Sequence, residues 1–288
     1  MFVGSLLVAV LAAQPSADTA PLACESCAEW NAAQAPFRIH GNSYYVGVGG
    51  LSVVLITTSK GLILLDGGLP QSVPLIVSNL RTLGRRVEDV KWIGISHAHF
   101  DHVGGVAALA RLSGARVAAS PAAAAALRAG TVQKNDPQAG YGEAMRFAPV
   151  AKVEEFADGA TIQLGDVTLT VHHTPGHTPG GTSWTWKSCE GTRCVTIAYA
   201  DSLNPISAPG FRFGADKAGV ERFRRSIETV RKLPCDVLVT PHPGFSDLFE
   251  KRAARDRGDG NPLIDPAGCR NYAGDAATKL EKRLAEER

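Results

Sequence analysis

Charge of one sign is what this chain lacks first: 30 Lys and Arg stand against 28 Asp and Glu in 288 residues, a formal net of +2. A balance so near neutral excludes a dominant polyphosphate-binding surface. No Lys/Arg run that could track a phosphate backbone is present either, so nucleic acid is not an expected partner. Also missing is any apolar stretch of the roughly 20 residues that a membrane-spanning helix requires. The run Phe2–Ala13 (FVGSLLVAVLAA) has signal-peptide length instead, although no Lys or Arg precedes it. Neither a short-period solenoid repeat nor a coiled-coil heptad is evident. With 44% apolar and 20% charged residues the chain is no disordered polymer, and its length exceeds that of a scaffold held by disulfides alone.

Residues 1–13 therefore read as a signal peptide cleaved near 12–20, residues 14–35 as an N-terminal arm, and residues 36–288 as a single domain. The product is expected in the periplasm or secreted, without stable membrane association, and as a monomer. Six cysteines agree with export, because an even count can pair completely in an oxidising compartment. Cys189 and Cys194 flank a turn between two strand-like runs, and Cys235 and Cys269 would close a long loop. Cys24 and Cys27 form a C-x-x-C in a polar leader, read as a local disulfide or as two loose thiols.

Hydrophobic patterning gives strands at Phe37–Gly47, Leu51–Thr58 and Gly61–Asp66, a helix from Val73 to Leu83, a strand at Lys91–Ser96 and a helix at Val103–Leu112. A short strand (Val117–Ser120), a short helix (Ala122–Arg128) and a polar loop (Gln133–Met145) follow. The second half repeats the order: strands at Lys152–Phe156, Thr161–Leu164, Val167–His173, Thr182–Lys187 and Val195–Ala200, then helix Val220–Leu233 and strand Asp236–Thr240. The charged tail Ala276–Glu287 reads as a terminal helix. The expectation is an α/β protein of two sheet-plus-helix halves stacked face to face, helices outside.

The chemistry concentrates in Ser96-His97-Ala98-His99-Phe100-Asp101-His102, at the end of an apolar strand and ahead of a Gly-led helix. In extended backbone, residues two apart project to one side, so His97, His99 and Asp101 can converge, and a turn brings His102 round to them. His177, in the Thr-Pro-Gly-His-Thr-Pro-Gly-Gly loop, and His242, in Thr-Pro-His-Pro-Gly, come after other strands and can complete the cluster. His40, His172 and His173 lie within or beside strands and read as structural. Five imidazoles and one carboxylate suit zinc, with iron or manganese also compatible, and six ligands exceed a single site, which implies two metals.

The H-x-H-x-D-H segment, Asp66 ending an earlier strand, the Pro-Gly-His loop and His242 together resemble the metallo-β-lactamase superfamily over Phe37–Tyr272. The Trp184–Glu190 and Tyr199–Leu203 segments and the Cys235/Cys269 pair are similar to its subclass B3. The resemblance implies a four-layer αββα sandwich. It gives His97, His99 and His177 to a first Zn²⁺ and Asp101, His102 and His242 to a second, with Ser202 where other subclasses place a Cys ligand. It further implies hydrolysis of small-molecule β-lactams (penicillins, cephalosporins, carbapenems) by a hydroxide held between two Zn²⁺, with Asp101 orienting it, and hence antibiotic resistance. Ser202, Asn204 and, more remotely, Gln138 are candidates to bind the substrate carboxylate. Asp66 is either a partner of a ligand's outer ring nitrogen or a turn cap. One departure is Val48-Gly49-Gly50, which lacks the cysteine that some relatives bridge to an N-terminal cysteine.

Two other functions compete. A glyoxalase II-like thioesterase or lactonase shares the fold and bridges its metals with an Asp where this chain has Asp201. A periplasmic zinc-binding protein would use the same donors in a coordinatively closed site.

Overall fold

The computed structural model describes residues 16–288, so the expected signal peptide lies outside the described residues. The arm carries one helical turn, α1 (Cys27–Trp30), and leads into β1 (Phe37–His40), β2 (Ser43–Tyr45), β3 (Val54–Thr58) and β4 (Gly61–Leu65). Helix α2 (Val73–Thr82), β5 (Val90–Gly94), α3 (Phe100–Val103), α4 (Val106–Ser113), β6 (Arg116–Ala119), α5 (Pro121–Ala129) and β7 (Val153–Glu155) complete the first half. The second half runs β8 (Thr161–Leu164), β9 (Val167–His173), β10 (Thr182–Glu190), β11 (Arg193–Tyr199), α6 (Lys217–Lys232), β12 (Val237–Val239), α7 (Leu248–Asp256) and α8 (Gly268–Glu286). Strands β1 to β7 form a seven-stranded sheet in sequence order, and the five-stranded sheet has the order β12-β11-β10-β9-β8.

The period-2 alternation of strand side chains sorts the apolar residues into layers. Val54, Ile56, Ile63 and Leu65 of the first sheet meet Val171, Trp184, Ile197, Tyr199, Val237 and Val239 of the second, forming the core between the sheets. The intervening Leu55, Leu62, Leu64 and Ile93 face the other way, against Val73, Ile76 and Leu80 of α2 and Val106 and Leu109 of α4. On the far side, Ala198 and Leu238 meet Phe223, Ile227 and Val230 of α6 and Ala273, Ala276 and Leu280 of α8. Three apolar interfaces separate four layers, the expected αββα sandwich. No helix among the described residues is long and apolar enough to cross a membrane.

Several elements differ from the sequence reading. Phe37–Gly47 is a hairpin and not one strand: Gly41, at φ +49°, turns the chain so that Phe37 pairs with Tyr45. The expected Val103–Leu112 helix is broken at Gly104-Gly105, where a Cβ on Gly105 would lie 2.3 Å from the Gly67 carbonyl oxygen. Strand β10 extends to Glu190, α8 begins at Gly268 and not Ala276, and α7 was not expected. The three disulfides are Cys24–Cys27, Cys189–Cys194 and Cys235–Cys269, so the C-x-x-C is a local bridge and not two loose thiols.

Candidate metal centre

Strand β5 ends at Gly94, and the second sheet pins the next two residues: the Trp184 indole N–H donates to the Ile95 carbonyl at 2.9 Å, and the Thr182 N–H to the Ser96 carbonyl at 2.8 Å. His97 and His99 follow this fixed strand end, His99 in extended backbone. Asp101 does not continue the alternation, as the spacing suggested. It lies in α3 beside His102, because the His99 carbonyl accepts the N–H groups of His102 and Val103 and winds the chain into a turn. The Gly-Gly break just after α3 lets the Gly67 N–H reach the His102 carbonyl at 2.8 Å, which fixes that turn.

The second half contributes two loops. After β9, the Pro-Gly-His loop passes so close to α6 that a Cβ on Gly176 would sit 2.2 Å from the Phe223 ring, and one on Gly181 would sit 2.2 Å from an Asp201 carboxylate oxygen. Glycine is required there for close approach, and His177 is aimed by it. After β12, Thr240 Oγ1 donates to the His242 carbonyl at 2.7 Å and stiffens the second loop.

These loops converge on two groups of donors. Ligand atoms of His97, His99 and His177 lie within 4.8 Å of one another, and so do those of Asp101, His102 and His242. The rings of His97 and His102 are 4.3 Å apart between centroids and join the two groups. Most of the imidazoles spend one ring nitrogen on the protein. His97 Nδ1 donates to Asp201 Oδ1 at 2.8 Å, His99 Nε2 to the Asp136 carboxylate at 3.2 Å, His177 Nδ1 to the Asn204 carbonyl at 2.7 Å and His242 Nδ1 to the Gly50 carbonyl at 3.1 Å. His102 Nδ1 lies 3.7 Å from Asp66 Oδ2, too far for a direct hydrogen bond. Asp66, at φ +64°, instead accepts the Ser96 N–H and hydroxyl and the Tyr199 hydroxyl.

What remains is a set of inward nitrogens. His97 Nε2 is buried without a hydrogen-bond partner, a costly state for a polar atom in a protein interior. A bound cation satisfies such atoms, and outer carboxylate or carbonyl partners of this kind fix the tautomer of metal-bound histidines. Burial, reinforced by the His99 imidazole, holds His177 down at about 3, so its ring is neutral and its lone pair available. Burial, then the neighbouring His102 and His99, drives His97 the same way. Burial would raise Asp101, but His102 and His242, 3.1 and 3.4 Å from its Oδ2, hold it well below the usual carboxylate range. Burial pushes Asp201 up, a tendency that a cation bound beyond His97 would oppose. The donor set thus fits a metal centre.

Of the remaining sequence candidates, Ser202 and Asn204 line a cavity of about 350 Å³ together with Trp30, His177, Ile206, His242, Gly244 and Phe245. Gln138 approaches the site differently, its Nε2 3.4 Å from His99 Nδ1. His172 and His173 bond Thr185 Oγ1 and the Phe156 carbonyl, away from the donors. Sequence reasoning missed Asp136, Trp30 and Phe245, and saw Asp201 only as a possible metal bridge. For Asp201, its position just after an apolar strand was an available signal.

Residues 46–194, over half of the chain, match the metallo-β-lactamase superfamily. Among solved structures, Rm3 metallo-β-lactamase is 50% identical with a TM-score of 0.89, the match covering 92% of this chain and 99% of that one. MEM-A1, a subclass B3 metallo-β-lactamase isolated from a soil metagenome library, is 45% identical with a TM-score of 0.86, over 90% of this chain and 98% of that one. BJP-1, a subclass B3 metallo-β-lactamase of Bradyrhizobium japonicum, is 34% identical with a TM-score of 0.83, over 91% and 98%. A hydroxyacylglutathione hydrolase of Anaeromyxobacter dehalogenans is 34% identical over 128 residues, 44% of this chain but only 38% of that protein's length. The family match over more than half of the chain, the shared fold and 34–50% identity along about nine-tenths of the chain lead to one conclusion: the chain belongs to the metallo-β-lactamase superfamily, with subclass B3 enzymes among its structural relatives.

Proposed function

We propose that this protein is an exported, zinc-dependent β-lactamase with two Zn²⁺ per chain, acting on penicillins, cephalosporins and carbapenems and conferring antibiotic resistance. The observation that carries the reading is the pair of donor groups opening onto a cleft, in a chain 50% identical to Rm3 metallo-β-lactamase over 92% of its length. His97, His99 and His177 would hold one Zn²⁺, and Asp101, His102 and His242 the other. When bound, Zn²⁺ supplies Lewis acidity toward the lactam carbonyl and makes water a nucleophile near neutral pH.

The chain's own residues do the rest. Asp101 would help to hold the second ion and, as a hydrogen-bond acceptor, would align the attacking water. Ser202 Oγ and the Asn204 side-chain amide, at the cleft, offer donors to the substrate carboxylate. Trp30, Ile206 and Phe245 form an apolar wall that receives substituents and excludes water.

A thioesterase reading gains some weight from the hydroxyacylglutathione hydrolase match. Against it stands Asp201, whose Oδ1 accepts from the outer nitrogen of His97 at 2.8 Å and which belongs to neither donor group. The test is carbapenem hydrolysis by the mature protein, followed by loss of β-lactam absorbance. Turnover abolished by a chelator and restored by zinc is the expected result. A folded, two-zinc protein that leaves carbapenems intact but cleaves a glutathione thioester would reverse the choice.

A further inference from the structure

The C-x-x-C clip has no part in the mechanism above, and the helical turn that starts at Cys27 enters it only through the Trp30 ring, yet both lie one residue away from a ligand. Trp30, the last residue of α1, offers its carbonyl to the Gly50 N–H at 3.0 Å, and the Gly50 carbonyl in turn accepts from His242 Nδ1 at 3.1 Å. The neighbouring Gly49 N–H donates to the Ala32 carbonyl at 2.7 Å, so the arm and the Gly49-Gly50 turn are joined as a short backbone pair. Side chains are excluded from this contact: a Cβ on Gly50 would lie 2.5 Å from Trp30 Cδ1. The Trp30 ring also packs on the His242 ring, 5.2 Å between centroids.

The arm is held at both ends of this stretch. Leu22 exchanges two backbone hydrogen bonds with the Gln71 side-chain amide, at 3.0 and 2.8 Å, and Asn31 Oδ1 accepts the Ser72 hydroxyl at 2.7 Å. Cys27 is buried against Val48, Leu51 and Leu69, and its bond to Cys24 closes the turn from which α1 starts. By contrast, the outer partners of His97, His99 and His177 are Asp201, Asp136 and the Asn204 carbonyl, none of them on the arm.

We propose that the N-terminal arm, clipped by Cys24–Cys27, is a positioning element for His242 and therefore sets the affinity of the Asp101–His102–His242 group for its metal. The inference rests on reading that group as a metal site, and it makes the arm selective for one of the two metals. A carbonyl that orients a ligating imidazole is worth roughly ten- to hundredfold in metal affinity. Loosening the arm lets the Gly50 carbonyl drift, with that loss falling on one binding step.

The experiment titrates the metal-free full chain with Zn²⁺ against a chromogenic chelator, with Co²⁺ absorption as a second readout, and assigns the step lost in His242→Ala to this group. Two variants disturb the arm independently: Cys24→Ser/Cys27→Ser, which leaves the other disulfides intact, and Gly50→Ala, which leaves the clip intact. The expected result is that in both variants the assigned step weakens at least roughly tenfold while the other step keeps the parent affinity. Equal weakening of both steps, or no change in either, overturns the proposal. Selective loss in Gly50→Ala alone overturns the role of the clip. A parent that binds fewer than two Zn²⁺ fails the two-metal reading itself, a result separable from the others because it needs no variant.

Discussion

Asp101 is the one anion among the six donors, and both His102 and His242 approach its Oδ2. On the proposed reading, Asp101→Ala removes a metal ligand and the group that aligns the nucleophile, together with the charge that both imidazoles face. We expect kcat/KM for a carbapenem to fall by about 10³-fold, read by steady-state kinetics with zinc content measured in parallel; unchanged turnover at full zinc occupancy would reject the assignment. Asp136 acts through another residue, since its carboxylate holds the outer nitrogen of His99. Asp136→Ala should weaken the His97–His99–His177 step by roughly ten- to hundredfold, and Asp136→Asn, which keeps an acceptor oxygen, should recover part of it. The six donors were legible because they cluster in H-x-H-x-D-H or sit in Pro-flanked loops after strands. Asp136 was not, because an Asn-Asp-Pro in a polar loop looks like any turn, and only the folded chain brings it against His99.

Among the elements, the α3–α4 break illustrates what patterning alone misses. Val103, Val106 and Leu109 keep helical spacing across Gly104-Gly105, so the apolar stripe reads as continuous. The break comes from the approach of the Gly67-Gly68 loop, a tertiary contact that periodicity does not encode. Gly105→Ala places a Cβ 2.3 Å from the Gly67 oxygen and 2.8 Å from Val73 Cγ2. The strain should destabilise the fold by about 1–3 kcal/mol, visible as a lower urea midpoint, and an unchanged midpoint would refute the close-contact argument. Helix α7 escaped notice for a related reason: of its residues only Leu248 is fully buried, too little for an apolar stripe. The first turns of α8 were obscured by Gly268 and Gly274, weak helix formers. There Cys269 anchors the chain to Cys235.

Over the whole molecule, the layering was legible because alternation in the strands leaves little freedom in which face is buried. The disulfides reinforce it unequally. Cys235–Cys269 joins positions 34 apart and ties α8 to the segment before β12, whereas Cys189–Cys194 spans 5 and joins residues already paired between β10 and β11. Loop-closure entropy then gives about 4 kcal/mol for the first and about 2 kcal/mol for the second. Serine pairs at each bridge, compared by denaturant unfolding, should reproduce that order; the opposite order would mean that native-state packing decides instead.

The seven-stranded half supplies His97, His99, Asp101 and His102, and the five-stranded half supplies only His177 and His242, one to each donor group. Neither half owns a complete group. With the two metals proposed above, each would be a rivet through the seam between the halves, and full coordination would require that they have docked. On that reading, metal uptake reports the last stage of folding: a half-assembled chain has nothing to offer an ion but fragments of a site.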